Sequence, residues 1–269
     1  MKIKIIEYNI NHGFYKTNFN SKGSFDFEPK RLVLAQAIIN IQNQDVLVLL
    51  EAAFCKKNRY NILMEYHKLF NFTYHYEDLT NYEWGFVVLS KYPILNGQNL
   101  SKDKMIFARL KIDLGKEKIN LDITHPHPSL SEYEKLQFFD NILNNFDKPY
   151  ILTGDFNSIS DEDSYNHDKL LKGFSLFDKN AKATVDKFME RAVIPKIRDY
   201  QLIDTFKIIN KNFGYTIPTD ILSKNKNTGL RLDYLFCSKE FKILDSGIIR
   251  NELTENASDH YPIYAILEI

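Results

Sequence analysis

The sequence lacks the features that mark disulfide-stapled, zinc-stapled and membrane-spanning proteins. Its 269 residues include two cysteines, Cys55 and Cys237, with neither a secreted disulfide framework nor the paired Cys/His spacing of a structural zinc site. No apolar run reaches the ~18 residues that a transmembrane helix needs. The opening residues, MKIKIIEYNI, alternate charged and apolar side chains and form no signal-peptide core. We therefore expect a cytoplasmic protein with no transmembrane segment.

An excess of either charge is also missing. The 35 Lys and Arg residues balance the 35 Asp and Glu residues, which gives a formal net charge of 0. This balance argues against a protein that coats nucleic acid through bulk positive charge, but it permits a local basic rim around an acidic site. Glycine and proline are few, at 10 and 8 residues, and no Gly/Ser/Pro-rich linker interrupts the chain. We expect a single domain over residues 1–269.

Short apolar runs predict most of the secondary structure. Strands are expected at 3–8, 45–50, 72–77, 85–90, 106–113, 119–124, 149–154, 232–238, 242–249 and 261–269. Helices are expected at 28–43, 57–69, 131–146, and more briefly near 164–172 and 202–210. About ten strands exceed one open sheet, so we expect an α/β protein in which two sheets pack face to face with helices outside.

Polar side chains that suit catalysis or metal binding recur at the ends of these strands. In chain order they are Asn9, Asn11, Glu51, His125, Asp155, Asn157, Asp233, Asp259 and His260. Strand ends hold such groups rigidly, and binding sites often form there. The pairs Asn9/Asn11, His125/His127 and Asp155/Asn157 are spaced i,i+2, so an extended backbone would turn both members of each pair to one side.

The residue types indicate a hard cation and phosphate chemistry. Four carboxylates and two amides offer the oxygen ligands that suit Mg²⁺ first and Mn²⁺ or Ca²⁺ next. They belong to Glu51, Asp155, Asp233, Asp259, Asn9 and Asn157. Carboxylates brought together without a cation repel one another, so the cluster implies a bound metal or raised pKa values. His125 and His260 remain for proton donation or transition-state stabilisation.

The other histidines and the aromatic residues have simpler interpretations. We assign five histidines to the surface or to packing: His12, His67, His75, His127 and His167. The aromatic-rich stretch 70–86 can supply an apolar lip for a lipid substrate, but we expect it to lie in the core.

Seven segments carry a family resemblance when they are taken in order. They are YNINHG (8–13), the LLE that ends at Glu51, WGFVVLSKYPI (84–94), ITH (123–125), TGDFNS (153–158), RLDYLF (231–236) and SDHYPI (258–263). Together they resemble the endonuclease/exonuclease/phosphatase superfamily, the deoxyribonuclease-I-like proteins, from residue 5 to residue 268. The resemblance implies a four-layer αββα sandwich of two mixed β-sheets flanked by helices.

The resemblance also implies a metal side of the site. Asn9 and Glu51 match positions on that side, with Glu51 as the principal ligand. Asp259 matches a metal ligand or an orienting group. The implied cofactor is Mg²⁺, with Mn²⁺ or Ca²⁺ as alternatives.

A catalytic side follows from the same resemblance. Asp155 matches the residue that orients or deprotonates the attacking water, and Asn157 matches the one that holds the phosphate. His260 would stabilise charge on phosphorus or act as an acid. Asp233 would orient a histidine, and His125 would contact the phosphate.

The expected activity is metal-dependent hydrolysis of a phosphate ester by in-line attack of water. The first hypothesis is a phosphodiesterase or nuclease that acts on DNA or RNA. We expect the protein to be a monomer. One alternative is a phosphatase or phospholipase-type enzyme for an inositol phosphate or a sphingomyelin-like lipid; another is a non-catalytic binding module on the same fold. Phe86 stands where the family often has Asn, which removes a polar group near the site and weakens any inference about the substrate.

Overall fold

Two six-stranded sheets form the framework of the protein. The computed structural model describes residues 1–18, 24–53, 66–78 and 85–269. Within these ranges the strands β1 to β14 are Lys2–Asn9, Tyr15–Asn18, Ser24–Phe27, Val46–Ala53, Tyr74–Asp78, Gly85–Ser90, Ile94–Asn99, Met105–Asp113, Lys118–Pro126, Tyr150–Asp155, Ile203–Asp204, Asp233–Cys237, Lys242–Ile248 and Ile263–Glu268. The helices are Pro29–Asn40, Glu132–Leu143, His167–Phe174, Ala181–Met189, Val193–Asp199 and Thr205–Ile209. Strands β2 and β3 form a separate two-stranded ribbon.

The first sheet has the strand order β13-β14-β1-β4-β6-β5. β1 and β4 run parallel, and the other neighbouring strands pair antiparallel. Parallel neighbours need a crossover, which the helix Pro29–Asn40 provides between them. Pro29 stands in the first turn of this helix, where its missing N–H costs nothing.

The second sheet has the order β11-β12-β10-β9-β8-β7 and is built on the same plan. β9 and β10 run parallel, while β10 pairs antiparallel with β12. The helix Glu132–Leu143 makes the crossover from β9 to β10. Ser131 caps this helix and exchanges hydrogen bonds with Glu134, which confirms the predicted capping box.

Side-chain alternation places apolar residues on both faces of each sheet. Between the sheets, one cluster contains Ile5, Val48, Ile123, Ile151 and Leu235, with others from the same strands. The opposite face of the first sheet packs on the helix Pro29–Asn40, and that of the second sheet packs on the helix Glu132–Leu143. The layers therefore run helix, sheet, sheet, helix, which confirms the predicted αββα sandwich.

The sequence predicts every strand with a strong apolar signal but misses four others. β7 has a polar sequence, ILNGQN, β11 has two residues, and β2 and β3 lie outside the two sheets. Of the predicted helix 57–69, residues 57–65 lie outside the described residues and 66–69 are helical. Within the aromatic stretch, Phe70, Phe72 and Phe86 are buried as expected, but Tyr74 is exposed, so the prediction of a core location is wrong at that residue.

None of the described helices combines the length and apolar content that crossing a bilayer requires. The single domain, the cytoplasmic location and the monomeric state stay predictions.

Candidate active site

The first sheet brings three of the predicted residues to one edge. β1 and β4 run parallel and end there, which carries Asn9 and Glu51 to the same level. β14 runs antiparallel to β1 and therefore begins at that edge, just after His260. The mixture of parallel and antiparallel pairs thus gathers side chains from distant parts of the chain.

The second sheet does the same from the opposite layer. His125 and Asp155 lie at the carboxyl ends of the parallel strands β9 and β10. Asp233 opens the antiparallel strand β12 directly opposite Asp155. Because β1, β9, β10 and β12 turn alternate side chains into the space between the sheets, both sets of residues meet at its mouth.

Glu51 reaches this mouth through an irregularity in β4. Leu50 packs between the sheets, so strict alternation would turn Glu51 to the opposite face. Instead, the pairing of β4 with β6 shifts register between Leu49 and Ala53, and Glu51 has a φ of 51°. A positive φ is strained for a residue with a Cβ, and such strain concentrates at functional sites.

Asn9 links the carboxylates of the two sheets. Its Nδ2 donates hydrogen bonds to Glu51 Oε1 at 3.1 Å and to Asp155 Oδ2 at 3.3 Å. Its Oδ1 accepts a hydrogen bond from the Asn11 backbone at 3.0 Å. Asn9 therefore orients both carboxylates through its NH₂ group, while its oxygen is already engaged.

The carboxyl groups of Glu51 and Asp155 resist ionisation. Burial raises the pKa of Glu51 to about 7, and the Asp259 carboxylate adds to the effect. Burial raises the pKa of Asp155 to about 8, and the Asp233 carboxylate adds to this shift. A cation would offset the repulsion among these groups, and carboxylate oxygens are the ligands that hard divalent cations prefer. The donor set therefore fits Mg²⁺ or a similar ion.

His260 and Asp233 form a buried ion pair. His260 Nδ1 donates to Asp233 Oδ2 at 2.8 Å, and its Nε2 lies 3.8 Å from Asp155 Oδ2. Burial alone would lower the pKa of His260, but the Asp233 carboxylate overrides this and holds it well above its ordinary value. The ligand atoms of these three residues lie within 4.8 Å of one another, as a metal site requires. Because Asp233 holds a proton on its Nδ1, the His260 imidazole can serve as a positive charge fixed beside Asp155.

His125 has the opposite protonation state. Its Nε2 lies 3.7 Å from Asp155 Oδ2 and 3.8 Å from Glu51 Oε1. Burial and the positive charge of His260 lower the pKa of His125 to about 3. The site thus holds one neutral and one cationic imidazole.

Asn157 and Asp259 complete the predicted set. The Asn157 backbone donates to Asp155 Oδ1 at 2.8 Å, and its Nδ2 donates to the Pro126 carbonyl at 2.9 Å. Asp259 lies at the wall of the cleft beside His260. Of the eight predicted residues, Asn9 and Asp233 stand behind the cleft and the other six line it. Asn11 and Asn157 both have a φ of 46°, so the expected extended i,i+2 pairing is wrong at these two residues.

His12 belongs to the site, and its assignment to the surface or to packing is wrong. Its Nδ1 lies 3.2 Å from Glu51 Oε2, and its backbone N–H donates to the same oxygen at 3.0 Å. The chain turns sharply here, with a φ of 57° at His12, and this turn folds the ring into the cleft. The sequence feature that could have predicted the place of His12 in the site is its position inside the YNINHG segment.

Glu7 is a second residue that sequence reasoning missed. It precedes Asn9 by two positions on β1 and is fully buried. Within the described residues, neither of its carboxyl oxygens has a hydrogen-bond partner. Burial, with Asp233 and Asp155 nearby, raises its pKa well above the ordinary value. A charged residue in the middle of an apolar strand was the signal.

Arg231 anchors the segment that leads to Asp233. Its side chain is buried, and its Nε and Nη1 donate to Asp163 Oδ2 at 2.9 Å and Asp204 Oδ2 at 2.7 Å. The guanidinium also lies over the Tyr234 ring, 4.3 Å from its centroid. Arg231 thus fixes the start of β12, and with it the carboxylate that charges His260.

The site opens into a cleft of about 520 Å³. His12, Glu51, Asp155 and His260 lie at its polar end. The remaining wall is formed by Pro128 and by residues between 174 and 232, most of them apolar.

The fold and this site define a two-sheet αββα sandwich whose acids and histidines converge at one sheet edge. Residues 6–260 match the model of the Endonuclease/Exonuclease/phosphatase family, and the chain belongs to this family. None of the curated proteins searched matches the chain.

Solved structures share the fold at low sequence identity. An AP endonuclease from Archaeoglobus fulgidus aligns with a TM-score of 0.67 and 16% identity, over 99% of this chain and 100% of that chain. A Bacteroides vulgatus endonuclease/exonuclease/phosphatase aligns with a TM-score of 0.70 and 14% identity, over 100% and 99%. D. rerio TDP2 complexed with single-strand DNA product aligns with a TM-score of 0.63 and 13% identity, over 100% and 99%.

Proposed function

We propose that this protein is a divalent-metal-dependent phosphodiesterase. The observation that carries the proposal is the buried His260–Asp233 pair facing Asp155, which places a fixed positive charge beside a carboxyl group of raised pKa. Phosphate-ester hydrolysis needs both features, because water must lose a proton while negative charge develops on the phosphoryl oxygens.

Different residues of the chain serve as base, stabilise charge and hold the phosphate. Asp155 takes a proton from the attacking water; its pKa of about 8 suits a base that works near neutral pH. His260 neutralises charge on the phosphoryl oxygens. Asn157 and the neutral His125 hold the phosphate from the side of the second sheet.

The metal belongs beside Glu51. Glu51 and Asp259 would hold it, and Asn9 orients Glu51 through its NH₂ group. When bound, such a cation supplies positive charge that polarises the phosphoryl group. The same charge would offset the burial, and the repulsion from Asp259, that raise the pKa of Glu51.

Hydrolysis of bis-p-nitrophenyl phosphate with Mg²⁺ or Mn²⁺ tests the proposal. We expect Asp155→Asn and His260→Ala each to lower turnover by more than ~10²-fold, with an unchanged circular dichroism spectrum. His167→Ala, which removes a partly exposed histidine paired with Asp186, is the matched control and should retain the wild-type rate. A wild-type rate in either site variant would remove that residue from the mechanism.

Salt dependence separates the candidate substrates. A nuclease should lose activity steeply as salt rises, because its grip depends on releasing counterions from the phosphate backbone. A phosphatase or phospholipase-type enzyme with a small substrate should respond far less. A protein that hydrolyses neither plasmid DNA, RNA, inositol phosphates nor sphingomyelin would instead be a binding module.

A further inference from the structure

The cleft has two chemically distinct ends. Beyond the carboxylates and histidines, its wall is formed by side chains that include Phe174, Phe177, Phe188, Ile217 and Leu222. None of these residues belongs to the catalytic set. A substrate that fills the cleft therefore meets polar groups at one end and hydrocarbon at the other.

The apolar wall is part of a packed unit. Phe174 lies 5.3 Å from Phe177 and 6.4 Å from Phe188, measured between ring centroids. Behind them, Phe188 packs in a cluster with Val185 and Leu230. Gly173 permits close packing there, since a Cβ at this position would lie 2.4 Å from Thr228 Cγ2. The wall is thus held in place by the fold.

The rim of this wall exposes hydrocarbon to solvent. Phe177 is 59% exposed and Leu222 is 56% exposed, although both line the cleft. Exposed apolar side chains gathered at the mouth of a cleft indicate an apolar ligand.

The charged residues that line the cleft also favour an apolar ligand. Among the described residues that line the cleft there is no lysine or arginine. A nucleic acid strand or an inositol polyphosphate brings several phosphates, and proteins meet these with clustered Lys and Arg side chains. One phosphate can be bound at the polar end, but among the described residues the wall offers no cationic side chain to a further phosphate.

We propose, building on the phosphodiesterase function, that the substrate carries an apolar substituent on its phosphate, either an alkyl chain or an aromatic ring. The phosphate lies against Asp155 and His260, and the substituent lies along Phe174, Phe188 and Leu222. The substrate is thus a diester of a single phosphate in which one ester group is a hydrocarbon.

Calorimetric titration of the Mg²⁺-loaded protein with alkyl phosphates tests this. Methyl, butyl and hexyl phosphate differ only in hydrocarbon, so any gain in affinity reports contact with the wall. Each buried methylene should tighten binding by about two- to fourfold, which predicts at least a thirtyfold gain from methyl to hexyl phosphate. Phenyl phosphate supplies the aromatic arm: tighter binding than hexyl phosphate identifies an aromatic substituent, and weaker binding identifies an aliphatic one.

Rim variants locate the contact. Phe177→Gln and Leu222→Gln alter exposed positions that the fold tolerates, and each should reduce the gain from methyl to hexyl phosphate at least threefold. Leu176→Gln is the matched control, because Leu176 is 73% exposed and does not line the cleft. It should leave the gain unchanged.

Two results would overturn the inference. One is equal affinity for methyl and hexyl phosphate, or no binding of hexyl phosphate. The other is tighter binding of a deoxydinucleotide than of both hexyl and phenyl phosphate. Binding is measured without turnover, so a failure of the phosphodiesterase proposal appears separately, as a protein that hydrolyses no diester.

Discussion

Replacing Asp233 by Asn should disable the site without reshaping it. Asp233 Oδ2 and His260 Nδ1 lie 2.8 Å apart, and both side chains are buried. For charges about 4 Å apart at an effective dielectric constant of 20, the attraction is about 4 kcal/mol. Since 1.36 kcal/mol corresponds to a tenfold rate change, the upper limit of the effect is about a thousandfold. We expect Asp233→Asn to lower kcat by about 10²- to 10³-fold at pH 7.

The pH dependence distinguishes loss of charge from loss of structure. Without Asp233, burial lowers the pKa of His260 against the attraction of Asp259 and Asp155 alone, so we expect the variant ring to lose its proton at a lower pH than the wild-type ring. Lowering the pH restores the proton, and the ratio of wild-type to variant rates should shrink from pH 8 to pH 5.5. The assay is initial-rate hydrolysis of bis-p-nitrophenyl phosphate at saturating Mg²⁺.

Asp245→Asn is the control for this experiment. Asp245 lies on β13 and accepts a hydrogen bond from Tyr264, outside the site, so its amide variant should keep the wild-type rate. An Asp233→Asn rate within threefold of wild type, or a rate ratio that does not change with pH, would show that catalysis does not depend on Asp233 keeping His260 charged.

Further predictions concern stability and the role of His12. Burial raises the pKa of Glu7 in the folded protein, so the wild-type protein loses stability as the pH rises above the ordinary glutamate range. Urea unfolding in EDTA should therefore show that Glu7→Gln exceeds wild type in free energy of unfolding by more at pH 8 than at pH 5. Equal differences at the two pH values would contradict this. Arg231→Met leaves two buried carboxylates without their guanidinium and should lower the free energy of unfolding by about 3–5 kcal/mol, against a loss below 1 kcal/mol if the pair is unimportant. His12→Asn should lower turnover about tenfold or more, and an unchanged rate would separate His12 from catalysis.

The apolar strands and the residues at their ends were accessible from the sequence. DVLVLL and PYILTG are continuous apolar runs, and both became central strands of the two sheets. Asp155 and His125 directly follow such apolar runs, and their side chains meet because β9 and β10 are parallel neighbours in one sheet. The ordered motifs then indicated the family and, with it, the second sheet of the sandwich.

Other parts of the site depend on local geometry that no periodicity reveals. Glu51 enters the cleft only because its φ is positive and the register of β4 shifts. His12 joins it through a turn whose residues also have positive φ. The apolar wall is assembled from Phe174 and Leu222, which lie far apart in a polar stretch without a clear repeat.

The proposed function requires that Glu51 and its neighbours bind a hard cation on which hydrolysis depends. The most direct measurement titrates Mg²⁺ into EDTA-stripped protein while following hydrolysis of bis-p-nitrophenyl phosphate, for wild type and for Glu51→Gln. We expect the wild-type rate to rise from background to a plateau, and we expect Glu51→Gln to need at least tenfold more Mg²⁺ to reach half of its own plateau. A rate independent of Mg²⁺, or the same Mg²⁺ requirement in both proteins, would contradict it.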